Sequence, residues 1–209
     1  MIKVVVCDDH AVVRRGIRDT LAEAVDIQVT GEAGSYAEVR EVLRKTPCDV
    51  LVLDLNMPGR GGMEVLTTLA ETDSPVKVLV VSMFPEDQYA IRCLRAGAQG
   101  YLSKAGDPEE MVRAVRTVMQ GRKYVTPEVA QMLVDSLSKP AQEVLHASLS
   151  ERELQTVVKI ASGKRLSDIA EELMLSPKTV SVYRTRALEK LHLGNNAELT
   201  VYAIRNGLV

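Results

Sequence analysis

The feature that most restricts this chain is a rhythm in its first 121 residues, where short apolar runs alternate with segments patterned for helices. Residues 2–7, 27–30, 50–53, 76–81 and 100–102 form the apolar runs, each apolar enough to predict a strand buried on both faces. Between them, Val12, Val13, Gly16, Ile17 and Leu21 recur at helical spacing. So do Val39, Val42 and Leu43, then Val65, Leu66 and Leu69, then Ile91 and Leu94. Met111, Val112, Val115, Val118 and Met119 repeat the pattern behind Asp107, Pro108 and Glu110, which supply an N-cap, a first-turn proline and a capping-box acid. Five strands alternating with five helices predict an α/β, doubly wound, parallel five-stranded sheet.

After Gly121 the pattern changes. Tyr124-Val125-Thr126-Pro127 opens one further helix over 127–137, and Ser138-Lys139-Pro140-Ala141-Gln142 ends it. From residue 149 onward no strand pattern appears. Ser150 with Glu153 forms a capping box, and Ser176 with Pro177 forms an N-cap followed by a first-turn proline. Helices are expected over 151–162, 168–174, 177–191 and 196–206, with Gly163 closing the first and Gly194 following the third. The chain therefore divides into an α/β domain (1–121), a linker with one helix (122–148) and an all-α domain (149–209). The first carries 14 basic residues against 18 acidic, the last 9 against 7, so the two ends are built for different partners.

With 46% hydrophobic and 26% charged residues, packed cores are available, and collagenous, low-complexity and disulfide-scaffold classes are excluded. No apolar run approaches the roughly 20 residues of a membrane helix, so no membrane insertion is expected. The opening Met1–Val6 stretch leads straight into an acidic cluster, unlike a secretory signal, which predicts a cytoplasmic protein. Cys7, Cys48 and Cys93 are odd in number and widely spaced, predicting reduced thiols.

In open α/β sheets, ligands bind beyond the carboxyl ends of the strands. The residues there are Asp8, Asp9, Asp54, Ser82 and Lys104. A strand order of 2-1-3-4-5 sets strands 1, 3 and 4 side by side, so these groups converge. Three carboxylates facing one ammonium leave a net charge of −2, which a divalent cation would balance. Oxygen ligands in an open cleft point to Mg²⁺. Asp54 is placed to attack a phosphoryl group as a nucleophile, with Mg²⁺ and Lys104 neutralising the transferring oxygens. Ser82 would hydrogen-bond the new phosphoryl group and draw the following loop toward it. Asn56 would serve the metal through its backbone carbonyl.

Together with the Met57-Pro58-Gly59 turn and Tyr101, these residues resemble a bacterial response-regulator receiver domain over the whole of residues 1–121. The resemblance implies a flavodoxin-like fold in which Asp54 accepts phosphate from a sensor histidine kinase and Asp8 and Asp9 hold Mg²⁺. It also implies that Ser82 and Tyr101 form a switch, that Lys104 salt-bridges the phosphoryl group, and that no external substrate is turned over, so the protein is not an enzyme. Met83 stands where many receivers carry a smaller residue, and its long side chain would shield the phosphoryl group. Asn56 and Phe84 occupy positions whose identity varies in the family and bears on phosphoryl lifetime.

In the last domain, Leu149-Ser150-Glu151-Arg152-Glu153, Ile169-Ala170, and Ser176-Pro177-Lys178-Thr179-Val180 through Lys190-Leu191 resemble the LuxR-type helix-turn-helix. The whole chain thus resembles a NarL/FixJ-type transcription regulator. At about 100° per residue, Val180, Ala187, Leu188 and Leu191 form a buried stripe on the 177–191 helix. Lys178, Ser181, Val182, Thr185 and Glu189 face outward, with Arg186 beside them. That face suits a major groove: Lys178, Thr179 and Arg186 toward phosphates or base edges, Val182 against a thymine methyl. Arg184 lies near the buried stripe, its stem able to run along the core toward a phosphate.

Many family members have His where Tyr183 stands and lysines where Ser181 and Thr185 stand; regulators of the GacA, UvrY and BvgA type look closer here. Fewer outward lysines shift the burden of binding toward dimerisation. The resemblance implies that phosphorylation favours a homodimer on paired DNA half-sites, and Leu199, Tyr202 and Ala203 of the last helix are a candidate two-fold interface. A haloacid-dehalogenase-like phosphatase would need an aspartate where Asn56 stands, and no phosphate-binding glycine loop supports a nucleotide enzyme. The remaining alternative is a phosphorylation-independent DNA-binding regulator whose receiver serves as a protein-docking module.

Overall fold

The structure, a computed structural model, describes residues 1–57, 61–138 and 145–209. Pro58 and Gly59 of the predicted turn, and Lys139-Pro140-Ala141-Gln142 of the predicted helix stop, lie outside the described residues. Two compact units divide the chain, Met1–Ser138 and Lys139–Val209.

The first unit runs β1 (Ile2–Cys7), α1 (Ala11–Ala22), β2 (Ile27–Ala33), α2 (Tyr36–Lys45), β3 (Val50–Leu53), α3 (Gly62–Glu71), β4 (Lys77–Ser82), α4 (Glu86–Arg95), β5 (Gly100–Ser103), α5 (Pro108–Met119) and α6 (Pro127–Ser138). The sheet is parallel in the order β2-β1-β3-β4-β5, as the strand-order argument requires. Val4, Val6, Val50, Val52, Leu79 and Val81 pack on Ile17 and Leu21 of α1 and on Ala114, Val115 and Val118 of α5. Val5, Leu51, Leu53 and Val80 are equally buried. The three central strands are apolar on both faces because helices cover both.

β2 continues three residues past the predicted Thr30. Its register shifts opposite Val4 and Val5, and Gly31 then pairs with Val5. The glycine and Glu32 broke the apolar pattern, whereas backbone pairing to β1 carries the strand through to Ala33. At α5, Asp107 caps the helix through the Glu109 N–H, 2.9 Å away. Glu110 departs from the expected capping box, since its carboxylate instead accepts from the Tyr124 hydroxyl at 2.9 Å. That hydrogen bond anchors the segment following α5. Tyr124 donates its N–H to Gln99 O at 2.8 Å and accepts from Tyr101 N at 3.3 Å, a short parallel bridge along the edge of β5. α6 then packs on α4 and buries Val129.

The second unit comprises a 3-10 turn over Leu145–Ser148, then α7 (Glu151–Ala161), α8 (Leu166–Glu172), α9 (Pro177–Leu191) and α10 (Asn196–Arg205). α7 packs on α9 and α10, and α8 on α9. Ser150 and Glu153 form the predicted reciprocal capping box, and Ser176 Oγ accepts the Thr179 N–H ahead of α9. α8 stops earlier than the predicted 174 because Met174 is left-handed, φ 51°, reversing the chain before the Ser176 cap.

The two-fold interface expected at Leu199, Tyr202 and Ala203 is corrected by this packing. Leu199 and Ala203 are fully buried, and the Tyr202 hydroxyl lies 3.2 Å from His146 N and 3.1 Å from its Nδ1. That stripe faces inward because α10 lies on α7. The outward side of α10 presents Val201, 48% exposed, and Ile204, 60% exposed.

Gly62 opens α3 against the strand it follows. A Cβ there would stand 2.2 Å from the Asp54 carbonyl oxygen and 2.8 Å from Leu55 Cα. Gly62→Ala should therefore lower stability in chemical denaturation by about 1–3 kcal/mol, the usual cost of overpacking. Gly16→Ala, whose Cβ meets nothing within 4 Å, should raise it by about 0.5–1 kcal/mol through helix propensity.

Candidate functional site

Parallel register builds the pocket. Cys7 is level with Leu53, and Leu53 with Val80, so the chain leaves β1 and β3 at the same height. Asp8 and Asp54 therefore emerge side by side, Asp8 fully buried and Asp54 1% exposed. Ser82 pairs with Ser103 at the ends of β4 and β5, which sets Lys104 one residue beyond. Its Nζ lies 2.7 Å from Asp8 Oδ2 and 2.7 Å from Asp54 Oδ2. Asp9 stands at the rim. The structure thus brings together Asp8, Asp9, Asp54 and Lys104, with buried Ser82 nearby. Asn56 is half-buried in the loop two residues after Asp54.

One neighbour escaped the sequence reading. The donor atoms of Asp8, Asp9, His10 and Asp54 all lie within 4.8 Å of one another, and His10 Nδ1 is 2.6 Å from Asp9 Oδ1. The only sequence signal was adjacency, because His10 falls where α1 begins and reads as part of its start.

Burial pushes the Asp54 carboxyl above the ordinary aspartate range, opposed by Lys104 and assisted by Asp8. Burial alone would lower the Lys104 ammonium, but Asp54 and Asp8 outweigh it and hold Lys104 above its ordinary value. The nearby Cys7 thiol is pushed up by burial and by both carboxylates, which keeps it an inert thiol. Asp54 Oδ1 is buried and accepts no aligned hydrogen bond among the described residues, while the Asn56 backbone N–H helps to hold the carboxyl down. An orphaned carboxylate oxygen within a surplus of negative charge fits a hard divalent cation such as Mg²⁺.

A second set of interactions starts at Ser82, whose Oγ accepts the Phe84 N–H at 3.3 Å. Tyr101 points inward, and its hydroxyl donates to the Phe84 carbonyl at 2.9 Å. The Phe84 ring stacks on Tyr89 of α4 with centroids 4.7 Å apart. At the first residue of α4, Glu86 accepts from Thr126 Oγ1 at 2.9 Å. Met83, next to Ser82, is 71% exposed.

On α9, Lys178, Val182, Thr185 and Arg186 are exposed, while Thr179 and Ser181 are half-buried. Two hydroxyls serve the helix itself: Thr179 Oγ1 lies 2.8 Å from Ser176 Oγ in the cap, and Thr185 Oγ1 donates to Ser181 O at 3.0 Å. Arg184 donates to Asn196 Oδ1, tying α9 to α10, a role the helix pattern did not indicate. Lys190 reaches Glu153 Oε2 at 2.7 Å and Ser148 O at 3.2 Å.

Residues 4–116 match the family described as "Response regulator receiver domain", and residues 147–203 match "Bacterial regulatory proteins, luxR family". Response regulator GacA of Pseudomonas aeruginosa is 41% identical over 210 residues, spanning 100% of this chain and 98% of GacA. Response regulator UvrY of Escherichia coli is 41% identical over 209 residues, spanning 100% of this chain and 96% of UvrY. The solved structure of two RcsB dimers bound to two parallel DNAs aligns with a TM-score of 0.61 and 26% identity, covering 96% of this chain and 97% of RcsB.

A receiver-type sheet carrying an acidic pocket, followed by a helix-turn-helix, is the architecture of a regulator that takes in a signal at one unit and reads DNA with another. The chain belongs to the two-component response regulators with a LuxR-type DNA-binding domain.

The raised Asp54 carboxyl has a definite sign for stability. A folded carboxyl that protonates more readily than an unfolded one costs stability above the ordinary aspartate value of 3.8, and the cost fades as pH falls through the carboxylate range. In metal-free protein, Asp54→Asn should melt above wild type at pH 7, and the difference should narrow in acid. A variant that melts below wild type at pH 7 would show that pairing with Lys104 outweighs burial.

Proposed function

We propose that this chain is a phosphorylation-controlled transcription regulator in which Asp54 takes a phosphoryl group from a sensor histidine kinase and α9 reads DNA as part of a homodimer. The observation that carries this reading is Asp54 itself: buried at the carboxyl end of β3, one oxygen 2.7 Å from Lys104 Nζ and the other accepting no aligned hydrogen bond among the described residues. The step is an in-line displacement. An Asp54 oxygen bonds to phosphorus, the phosphorus–nitrogen bond to the kinase histidine breaks, and the imidazole leaves with its electron pair. Lys104 then compensates the charge brought by the phosphoryl oxygens. Asp8, Asp9, Asp54 and the Asn56 backbone carbonyl would hold Mg²⁺, which supplies charge neutralisation at the transferring oxygens when bound. No external substrate is turned over.

The readout begins at Ser82, whose hydroxyl turns to the phosphoryl group. The Phe84 N–H on Ser82 Oγ, the Tyr101 hydroxyl on the Phe84 carbonyl and the Phe84–Tyr89 stack tie that movement to α4. Glu86 and Thr126 extend it to the segment beyond α5. We assign 1–121 as receiver, 122–148 as linker and 149–209 as DNA-binding domain. Moving a population from 1:99 to 99:1 takes about 5.5 kcal/mol, several times the roughly 1 kcal/mol of one hydrogen bond. The balance is assigned to a dimer interface, for which Val201 and Ile204 on α10 supply an apolar face; the RcsB relative is described as dimers on DNA.

In the major groove, Lys178 and Arg186 would take phosphates or base edges and Val182 a thymine methyl. Thr179, Ser181 and Thr185 complete the DNA-facing surface. Paired half-sites follow from the two-fold dimer. No described helix is long and apolar enough to cross a membrane, and a kinase-driven DNA-binding role places the protein in the cytoplasm.

DNA affinity and solution mass, with and without a small-molecule phosphodonor and Mg²⁺, test the switch. Wild type should dimerise and bind DNA more tightly with phosphodonor, and Asp54→Ala should do neither. Equal behaviour of both proteins would leave the receiver as a docking module. For the DNA face, Lys178→Ala and Arg186→Ala should weaken binding, and removing a cation that pairs with a phosphate should flatten the slope of log affinity against log salt by about one. An unchanged slope and affinity would remove that residue from the interface.

A further inference from the structure

We infer that His10 is a nitrogen ligand of the acidic pocket, making it a mixed carboxylate–imidazole site that binds transition-series divalent cations such as Mn²⁺ in preference to Mg²⁺. The inference rests on the pocket being a cation site and adds a donor to it.

His10 is fixed by its backbone. It stands at the N-cap of α1 in an extended conformation, φ −85° and ψ 105°, and its side chain caps nothing. Its N–H donates to Asp8 Oδ1 at 2.8 Å, which aims the residue at the pocket instead of along the helix. Nδ1 then comes 2.6 Å from Asp9 Oδ1 and 3.7 Å from Asp8 Oδ1. Asp9 Oδ1 is buried yet accepts no aligned hydrogen bond. A cation seated between the imidazole nitrogen and the Asp9 carboxylate would be chelated by both.

A separate observation points to the same place. Asp54, 1% exposed, holds an Oδ1 that accepts no aligned hydrogen bond among the described residues, and the donor atoms of all four residues converge within 4.8 Å. The nearby Arg14 guanidinium is already engaged by the Asp8 carbonyl and by Glu32. The imidazole side chain is 54% exposed, so a cation entering from solvent meets it first. Carboxylate oxygens alone suit Mg²⁺ or Mn²⁺ about equally well, whereas an added imidazole favours the transition ion.

The full-length protein loaded with Mn²⁺ should show ¹⁴N imidazole modulation in pulsed electron paramagnetic resonance, and His10→Ala should abolish it. By calorimetry, His10→Ala should weaken Mn²⁺ binding by about tenfold or more, the scale of losing a supporting ligand, and leave Mg²⁺ binding nearly unchanged. Circular dichroism melting of the variant checks that the fold is retained. Absence of ¹⁴N modulation in wild type, or equal weakening of both cations, overturns the inference. The underlying reading fails separately: if wild type binds neither cation, the pocket is no cation site. If Asp54→Ala abolishes binding of both while His10→Ala alters neither, the site stands and His10 is not part of it.

Discussion

Lys104 held between Asp8 and Asp54 is the interaction on which the first unit turns. Two carboxylates buried side by side repel, and each lacks the water that would ordinarily solvate it. One ammonium at 2.7 Å from both makes the arrangement tolerable without satisfying it, because one Asp54 oxygen accepts no aligned hydrogen bond among the described residues. A fold that buries such a cluster keeps a charge imbalance in place, which is what the proposed cation and phosphoryl group would relieve. The sheet makes this possible: parallel strands in register end at one level, so three loops deliver their first residues to one point. Gly62 belongs to the same construction, since any side chain there would strike the Asp54 backbone.

From that pocket the path outward consists of few, short, directional interactions. Ser82 touches Phe84, Phe84 is shared between Tyr101 and Tyr89, and Glu86 meets Thr126. Each contributes little alone. Their value lies in geometry: Phe84 engages the pocket through its N–H and the core through its carbonyl and ring, so the residue cannot shift without disturbing both. Tyr124, bridged to the edge of β5 and bonded to Glu110, makes the start of the linker part of the sheet's own hydrogen-bonding system.

The second unit solves a different problem, presenting one helix face while burying the rest. α9 is capped by Ser176, held at its far end by Lys190 on Glu153, and tied to α10 by Arg184 on Asn196. With these restraints the exposed Lys178, Val182 and Arg186 project from a braced scaffold, and for the proposed DNA contact that bracing would lower the ordering cost. The same packing turns Leu199 and Ala203 inward and leaves Val201 and Ile204 outside.

Periodicity and local chemistry were enough to read the alternating α/β unit and the all-helical second unit, and, once the strand order 2-1-3-4-5 was assumed, the convergence of Asp8, Asp54 and Lys104; the order itself is seen in the folded sheet. Those properties follow from residue spacing, caps and the rule that ligands gather beyond parallel strand ends. Side-chain direction needed the folded chain. Whether Leu199 or Ile204 faces out depends on which side of α10 meets α7, and an apolar stripe looks alike in a core and in an interface. The fate of Glu110 depended on where Tyr124 returned, the role of Arg184 on the approach of Asn196, and the place of His10 on the backbone turn at the start of α1. Burial and backbone pairing act through patterns along the chain, so the architecture and the charged cluster were legible residue by residue. Partners distant in sequence are chosen by packing, so Glu110, Arg184, His10 and the α10 stripe acquired their neighbours only when the chain had folded.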